Sequence, residues 1–219
     1  MKYNRYILTI VLLWISWMLQ AQPRLRTPEI YVGGQAGVAA SSMLFNPVVQ
    51  GIDILQSPLS ANGGLVFRYA GHKVCGVQVE INYMQRGWRE VGEGFNYCRQ
   101  LSYVEIPFLT HLYFGGKHLR GIFNLGPQIG YCILDTEKGI KNPESTHQYA
   151  KIDNPFDWGI AGGLGFYYRT NKIGLFQLEA RFNYSFGSVF DNKKTDYFQM
   201  SNPINLSINL AYLWELKIK

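Results

Sequence analysis

Residues 176–186 read FQLEARFNYSF, a segment in which apolar and polar side chains alternate without a break. Its even-numbered positions hold Phe, Leu, Ala, Phe, Tyr and Phe, and its odd-numbered positions hold Gln, Glu, Arg, Asn and Ser. Because successive side chains of a β-strand point to opposite faces, this pattern predicts a strand with one apolar and one polar face. The same alternation recurs in 77–83 and 123–133, so we expect a fold built of strands.

The alternating segments and the turns between them predict eight strands, at 29–40, 61–71, 74–87, 99–114, 119–133, 157–169, 174–187 and 202–217. Short turns at 71–73, 115–118 and 170–172 join alternate strands, as in β-hairpins. The remaining connections are long loops, at 41–60, 88–98, 134–156 and 188–201. This order predicts an all-β fold, an eight-stranded antiparallel up-and-down barrel. Pro107, which lacks an N–H donor, further predicts a bulge next to Glu105.

The N-terminus has the layout of a secretory signal peptide. Lys2 and Arg5 precede an apolar stretch that ends at Leu19, and a small residue, Ala21, follows shortly after it. We expect cleavage after Ala21, which leaves residues 22–219 as one barrel domain. Removing two of the 21 basic residues leaves 19 against 15 acidic residues, a net charge of +4. Such a small charge does not indicate a nucleic-acid partner.

Composition separates a membrane barrel from a soluble one. Charged residues make up only 16% of the chain, and aromatic residues, which make up 15%, cluster near the ends of the predicted strands. Aromatic girdles, polar inward faces and strands long enough to cross a bilayer are typical of outer-membrane barrels. We therefore expect a transmembrane barrel in the outer membrane, with lipid around its apolar face. A soluble secreted barrel that binds a ligand in an apolar interior is the alternative.

Two segments resemble a known family. The stretch 103–109 reads YVEIPFL and the stretch 126–130 reads GPQIG, and together with the final aliphatic strand they resemble the PorT-like outer-membrane β-barrel family. The resemblance implies an eight-stranded barrel in the outer membrane of a Gram-negative cell. Founding members of that family are linked to a machinery that exports cargo across the outer membrane. The resemblance therefore implies a structural or interaction role, accessory to secretion or surface assembly.

Charged residues on the polar strand faces are the first candidate site. They are Glu80, Glu105, Arg169, Glu179 and Arg181. Since side chains fill the interior of an eight-stranded barrel, we expect these charges to pair with one another inside the lumen. The alternative for the same residues is a pore or a proton path.

No combination of residues predicts catalysis. His111, Ser185 and Ser207 lie on polar faces and His147 lies in a loop, but their spacing does not place a nucleophile beside a base. We expect neither an enzyme nor a bound cofactor or metal. A small lipid-modifying enzyme is the alternative, and it predicts lost activity on changing His111 or His147 to alanine. The three cysteines are expected to be free thiols, at Cys75, Cys98 and Cys132.

The loop at 41–60 is the second candidate site, because it is unusually apolar for a loop in water. Its apolar residues include Leu44, Phe45, Val48, Ile52 and Ile54. Such a loop either folds back onto the barrel rim or offers an exposed apolar surface to another protein. We expect a protein partner to bind through the long extracellular loops.

Overall fold

Eight antiparallel strands form a closed ring in the computed structural model, which describes residues 24–49, 59–143, 147–191 and 197–216. The strands are β1 (Arg24–Asn46), β2 (Ser60–His72), β3 (Cys75–Gly92), β4 (Phe95–Gly115), β5 (Leu119–Ile140), β6 (Phe156–Arg169), β7 (Leu175–Ser185) and β8 (Met200–Leu216). Each strand pairs with its neighbours in the chain, and β1 pairs with β8 to close the barrel. The predicted eight-stranded antiparallel up-and-down barrel is confirmed.

The polar strand faces point into the barrel and the apolar faces point out. In β7, Gln177, Glu179 and Arg181 are buried, whereas Phe176 and Phe182 are each 42% exposed. Each of the other seven strands also exposes large apolar side chains on its outward face. A soluble calyx has the opposite arrangement, so the alternative of a soluble ligand-binding barrel is wrong.

Exposed aromatic residues form two girdles around the barrel. One girdle lies near the short turns and includes Tyr69, Tyr168, Tyr212 and Trp214. The other lies toward the opposite ends of the strands and includes Tyr83, Tyr131, Trp158 and Phe186. Aromatic girdles mark the two membrane–water interfaces of outer-membrane barrels, so the strand segments between them span the bilayer.

Several strands continue well past the second girdle, which corrects three of the predicted loops. The predicted loop 88–98 is a hairpin, in which β3 runs to Gly92 and β4 starts at Phe95 after a turn through Gly94 at φ 80°. Leu134–Ile140 extends β5 and pairs with β4. Likewise, Ser41–Asn46 extends β1 and pairs with β8. Above the bilayer no lipid imposes an apolar face, so these extensions lack the alternating pattern that predicts a strand.

A bulge lies where two of the strands leave the membrane. Tyr103 of β4 pairs with Cys132 of β5, but Ser102 pairs with Leu134, so Ile133 is an extra residue. The bulge predicted beside Glu105 is wrong, because β3 and β4 keep one register on both sides of Pro107. The three cysteines are in no disulfide.

Candidate functional site: the filled lumen and the outer sheet

A buried ion-pair network occupies the middle of the lumen. Arg181 on β7 bonds Glu80 on β3 across the barrel through both terminal guanidinium nitrogens, with Nη1–Oε2 at 2.5 Å and Nη2–Oε1 at 2.7 Å. On its other side Arg181 bonds Glu179, with Nε–Oε1 at 3.0 Å. All three side chains are almost completely buried. One arginine therefore holds two carboxylates together inside the barrel.

Two glutamines connect this triad to a second arginine. Arg68 donates to the amide oxygens of Gln78, with Nε–Oε1 at 2.8 Å, and of Gln177. The amide nitrogen of Gln78 donates to Glu80 at 2.5 Å, and that of Gln177 donates to Glu179 at 3.0 Å. We call these six residues the central network (Arg68, Gln78, Glu80, Gln177, Glu179 and Arg181). Its two arginines and two carboxylates sum to a net charge of zero.

A second buried cluster lies in the lumen between the central network and the barrel end that carries the long connections. Arg86 contacts Glu105, with Nη2–Oε1 at 2.6 Å, and Asp157, with Nη1–Oδ2 at 2.7 Å. Ser185 donates its hydroxyl to Asp157 at 2.6 Å, and it accepts a bond from Arg86. The five charges predicted for the lumen are therefore divided between two clusters, because Glu105 pairs with Arg86, a residue outside the predicted set.

The prediction that Arg169 pairs with the other charges inside the lumen is wrong. Arg169 lies at the end of the barrel near the short turns. It bonds Glu29 and Glu215, each at 2.8 Å, and about a quarter of its side chain is exposed. Glu29 on β1 and Glu215 on β8 lie next to the seam where the barrel closes. Arg169 therefore links the first and last strands at the rim and has no part in the central network.

Apolar residues fill the interior at the short-turn end. The prediction of a polar lumen did not include them. We call this cluster the inner plug, and it consists of Tyr31, Val66, Ala70, Tyr113, Ile122, Tyr167, Leu175 and Leu213. The guanidinium of Arg68 lies 5.8 Å from the centre of the Tyr167 ring, so the inner plug packs directly against the central network. His111 lies at this boundary and its Nδ1 is 2.6 Å from Asn124 Oδ1.

A larger apolar cluster closes the opposite end. We call it the outer plug, and it consists of Met43, Phe45, Val49, Trp88, Tyr97, Leu101, Tyr103, Val189, Phe190 and Phe198. The ring of Phe45 lies 5.3 Å from that of Trp88 and 4.8 Å from that of Phe198. Residues from β1, β3, β4 and the connection between β7 and β8 thus meet over the mouth of the barrel.

The outer plug corrects the prediction of an apolar interaction loop. Leu44 and Phe45 belong to β1, and Phe45 is buried in the plug, so it is not available to another protein. Leu44 faces outward at 38% exposure, and Val48 lies beyond the strand end at 84% exposure. Ile52 and Ile54 lie outside the described residues.

Two charged residues hold a loop segment over the mouth. This mouth segment, 147–150, lies between β5 and β6. Arg99 donates to the carbonyl oxygens of Gln148 at 3.0 Å and Ala150 at 2.8 Å. Glu90 accepts bonds from Gln148 Nε2 at 3.2 Å and from the Tyr149 hydroxyl at 2.7 Å. Burial, together with this bond to Glu90, raises the pKa of Tyr149 to about 12.

The candidate catalytic residues are not assembled. His111 contacts Asn124, His147 stacks on Tyr197 with ring centres 3.7 Å apart, and Ser207 accepts a bond from Asn209. Within the described ranges, no group of three His, Cys, Asp or Glu residues is arranged to hold a metal ion. The same part of the chain contains no helix that is long and apolar enough to cross a membrane.

Comparison with known proteins identifies the family. Residues 20–191 match the family model described as outer membrane protein beta-barrel domain. The chain belongs to this family. It is therefore an outer-membrane β-barrel protein, with transmembrane strands.

Solved structures of similar shape are bacterial outer-membrane proteins. OprG from Pseudomonas aeruginosa shares 18% identity at a TM-score of 0.50, and the match covers 85% of this chain and 95% of OprG. Ail, the attachment invasion locus protein of Yersinia pestis, shares 15% identity at a TM-score of 0.43, covering 85% of this chain and 99% of Ail. At these identities the similarity concerns the fold alone. No curated protein matches the sequence.

Membership of the family orients the barrel. In bacterial outer-membrane barrels the short turns face the periplasm and the longer connections face the outside. The inner plug therefore lies at the periplasmic end, and the extensions of β3, β4 and β5 stand on the outer side of the membrane. We call these extensions the outer sheet (85–92, 95–102 and 133–140).

Proposed function

We propose that this barrel is an interaction protein whose contact surface is the outer sheet, and that it is neither a channel nor an enzyme. The proposal rests on the edge of β5 that faces away from β4. Pairing between β5 and β6 ends at Tyr131 and Phe156, so Leu134–Ile140 pairs with β4 on one side only among the described strands. An unpaired strand edge is a template for a strand from another protein.

The chemistry of this edge defines the partner that it fits. Leu134 and Ile140 face outward and are 56% and 68% exposed. On the other face, Asp135 and Glu137 are about one-third exposed while they contact Arg99. Since Arg99 and Lys141 already compensate these two carboxylates, the matching partner is an extended segment whose apolar side chains meet Leu134 and Ile140.

The filled lumen supports a role other than conduction. A continuous water path would have to cross the inner plug, the central network and the outer plug, each of which consists of buried side chains. Eight-stranded barrels have interiors that side chains just fill. We expect planar lipid bilayers that contain the refolded protein to show no stepwise conductance.

The arrangement of the histidines supports a role without catalysis. His111 lies between the inner plug and the central network, where an outer-membrane lipid has no access, and His147 is stacked on Tyr197. In the alternative of a lipid-modifying enzyme, His111→Ala or His147→Ala abolishes a change in the lipid composition of the outer membrane. We expect both variants to leave that composition unchanged.

The resemblance to the PorT-like family supports a more specific version of the proposal, an accessory role in secretion or surface assembly. The test is site-specific photocrosslinking in cells of the source bacterium, with the photoreactive residue at Thr136 or Lys138 on the edge of β5. Leu164, which is 63% exposed to lipid on β6, is the matched control position. We expect one protein partner at both edge positions and none at Leu164.

The identity of the crosslinked protein then distinguishes the accessory role from a general interaction role. A component of a secretion or surface-assembly complex supports the accessory role, and another surface protein supports an interaction role alone. Absence of any crosslinked protein at the edge of β5, or the same products at Leu164, contradicts the proposed contact surface.

A further inference from the structure

Basic residues are concentrated at the periplasmic rim. Each of the three short turns carries one exposed lysine, namely Lys73, Lys117 and Lys172, and Arg120 and Arg169 lie beside them at the start of β5 and the end of β6. None of these five residues lies between the two aromatic girdles. A ring of positive charge therefore surrounds the periplasmic opening of the barrel.

The acidic residues at this rim are already occupied. Among the described side chains at this end, the carboxylates are Glu29 and Glu215, and both are bonded to Arg169 at 2.8 Å. Among the described side chains of this rim, five basic and two acidic residues sum to a net charge of +3. Lys117, Lys172 and Arg120 therefore have no carboxylate partner among the described side chains. Arg120 donates to the carbonyl oxygen of Gly116 at 3.0 Å and to the Tyr167 hydroxyl at 3.2 Å, but these neutral acceptors leave its positive charge to attract an external anion.

Two adjoining hollows lie between the turn that joins β4 to β5 and the turn that joins β6 to β7. Their volumes are about 420 Å³ and 220 Å³, and both are lined by Arg169, Asn171 and Glu215. Lys172 and Trp214 line the larger hollow, and Lys117, His118 and Arg120 line the smaller one. We call the pair of hollows the inner-rim cleft.

The position of the inner-rim cleft places it at the level of lipid headgroups. Trp214 and Leu216 form part of its wall, and they are 53% and 47% exposed on the lipid-facing side of β8. Trp214 belongs to the periplasmic aromatic girdle, and such girdles lie at the headgroup level. The cleft therefore has one apolar side toward the acyl chains and one cationic side toward the periplasm.

We propose that the inner-rim cleft binds the phosphate group of an anionic glycerophospholipid in the periplasmic leaflet. Lys117, Lys172 and Arg120 contact the phosphate and the anionic headgroup, and the acyl chains lie along Trp214 and Leu216. The apolar wall favours a lipid over free phosphate, because free phosphate gains nothing from that wall. The carboxylate of Glu215 lines the cleft too, but Arg169 neutralises it.

The test measures which lipid lies next to Trp214. In a Trp158→Phe variant of the processed chain, Trp214 is the lipid-exposed tryptophan, because Trp88 is fully buried. The variant is refolded into phosphatidylcholine vesicles that contain an equal fraction of brominated phosphatidylglycerol or brominated phosphatidylcholine. Bromine quenches tryptophan fluorescence on contact, so the ratio of the two quenching curves measures the preference for the anionic lipid.

We expect phosphatidylglycerol to be preferred at Trp214, with about a fivefold loss of preference for each basic residue removed. Lys117→Gln with Lys172→Gln should abolish the preference. Lys138→Gln with Lys151→Gln, which removes two exposed lysines on the outer side, is the matched control and should keep it. A band shift on boiling in a gel shows that each variant has refolded.

Three results overturn the proposal. The first is equal quenching by the two brominated lipids, and the second is an unchanged preference in the Lys117→Gln, Lys172→Gln variant. The third is loss of the preference in inorganic phosphate but not in chloride at the same ionic strength, which shows that the cleft binds free phosphate.

Discussion

Replacing Arg181 by methionine tests whether the central network is an ion-pair network held away from water. The substitution keeps much of the side-chain volume but removes the partner of two buried carboxylates. Glu80 keeps three amide donors, from Gln35, Gln78 and Asn82 at 2.5–2.7 Å. Among the described residues, Glu179 keeps one donor, Gln177 at 3.0 Å, so its charge is the less compensated of the two.

The size of the effect follows from the burial of these groups. Breaking a buried ion pair by removing one partner costs about 3–5 kcal/mol of the free energy of unfolding. In wild type the two arginines and two carboxylates of the network sum to zero, and Arg181→Met leaves a net charge of −1. Adding Glu179→Gln restores a sum of zero. We therefore expect the double variant to recover about 2 kcal/mol of the loss, on the cost of an uncompensated buried charge.

The assay is equilibrium unfolding by urea in detergent micelles, with the heat-modifiable gel band and tryptophan fluorescence as independent measures of folding. Lys141→Met is the control, because it breaks an ion pair with Glu137 in which the two side chains are 47% and 31% exposed. Exposed pairs contribute about 0–1 kcal/mol. If Arg181→Met costs no more than Lys141→Met, or if Glu179→Gln adds to the loss, the reasoning about a desolvated network is refuted.

Three further predictions concern the lumen wall and the mouth of the barrel. A Cβ atom at Gly163 would lie 1.9 Å from Glu179 Oε1, so Gly163→Ala should lower the free energy of unfolding by about 1–3 kcal/mol through overpacking. Gly162→Ala is the control in the same urea assay and should be almost neutral, because the nearest atom to its Cβ would lie at 3.5 Å. Arg99→Met should release the mouth segment, seen as faster amide hydrogen exchange there with an unchanged barrel; equal exchange rates would show that another contact holds the segment. Because the pKa of Tyr149 is raised to about 12, stabilisation of the mouth segment should be complete below about pH 10 and lost as the pH rises toward 12. Tyr149→Phe should remove this alkaline release, and a release that persists in the variant would assign it to another group.

The membrane-spanning part of the fold could be predicted from the sequence because lipid imposes a rule on every residue. An outward side chain must be apolar, so the eleven alternating residues at 176–186 match β7 within one residue at either end. The strand extensions could not be predicted in this way. Residues 134–140 lie above the bilayer, where both faces accept polar side chains, and only their pairing with β4 makes them a strand.

The candidate site was less predictable, because its contacts join residues that are far apart in the chain. Glu80 and Arg181 are separated by 101 positions, and no local pattern relates them. The parity of each strand predicted that both side chains point inward. The height of each side chain along the barrel axis depends on strand register, which parity does not give. For that reason the sequence pattern places Arg169 with a network that lies elsewhere in the lumen.

The sequence by itself determined the class of the protein: an eight-stranded barrel with apolar residues outside, polar residues inside and short turns at one end. Those properties depend on the local alternation of side chains and on the identity of turn residues. The tertiary structure alone decided that aromatic and aliphatic residues close both ends of the lumen and that Glu105 pairs with Arg86 while Arg169 lies at the rim. It also decided that one edge of β5 has no partner among the described strands outside the membrane. Each of these depends on which residues of different strands reach the same height, and closure of the ring is what sets that height.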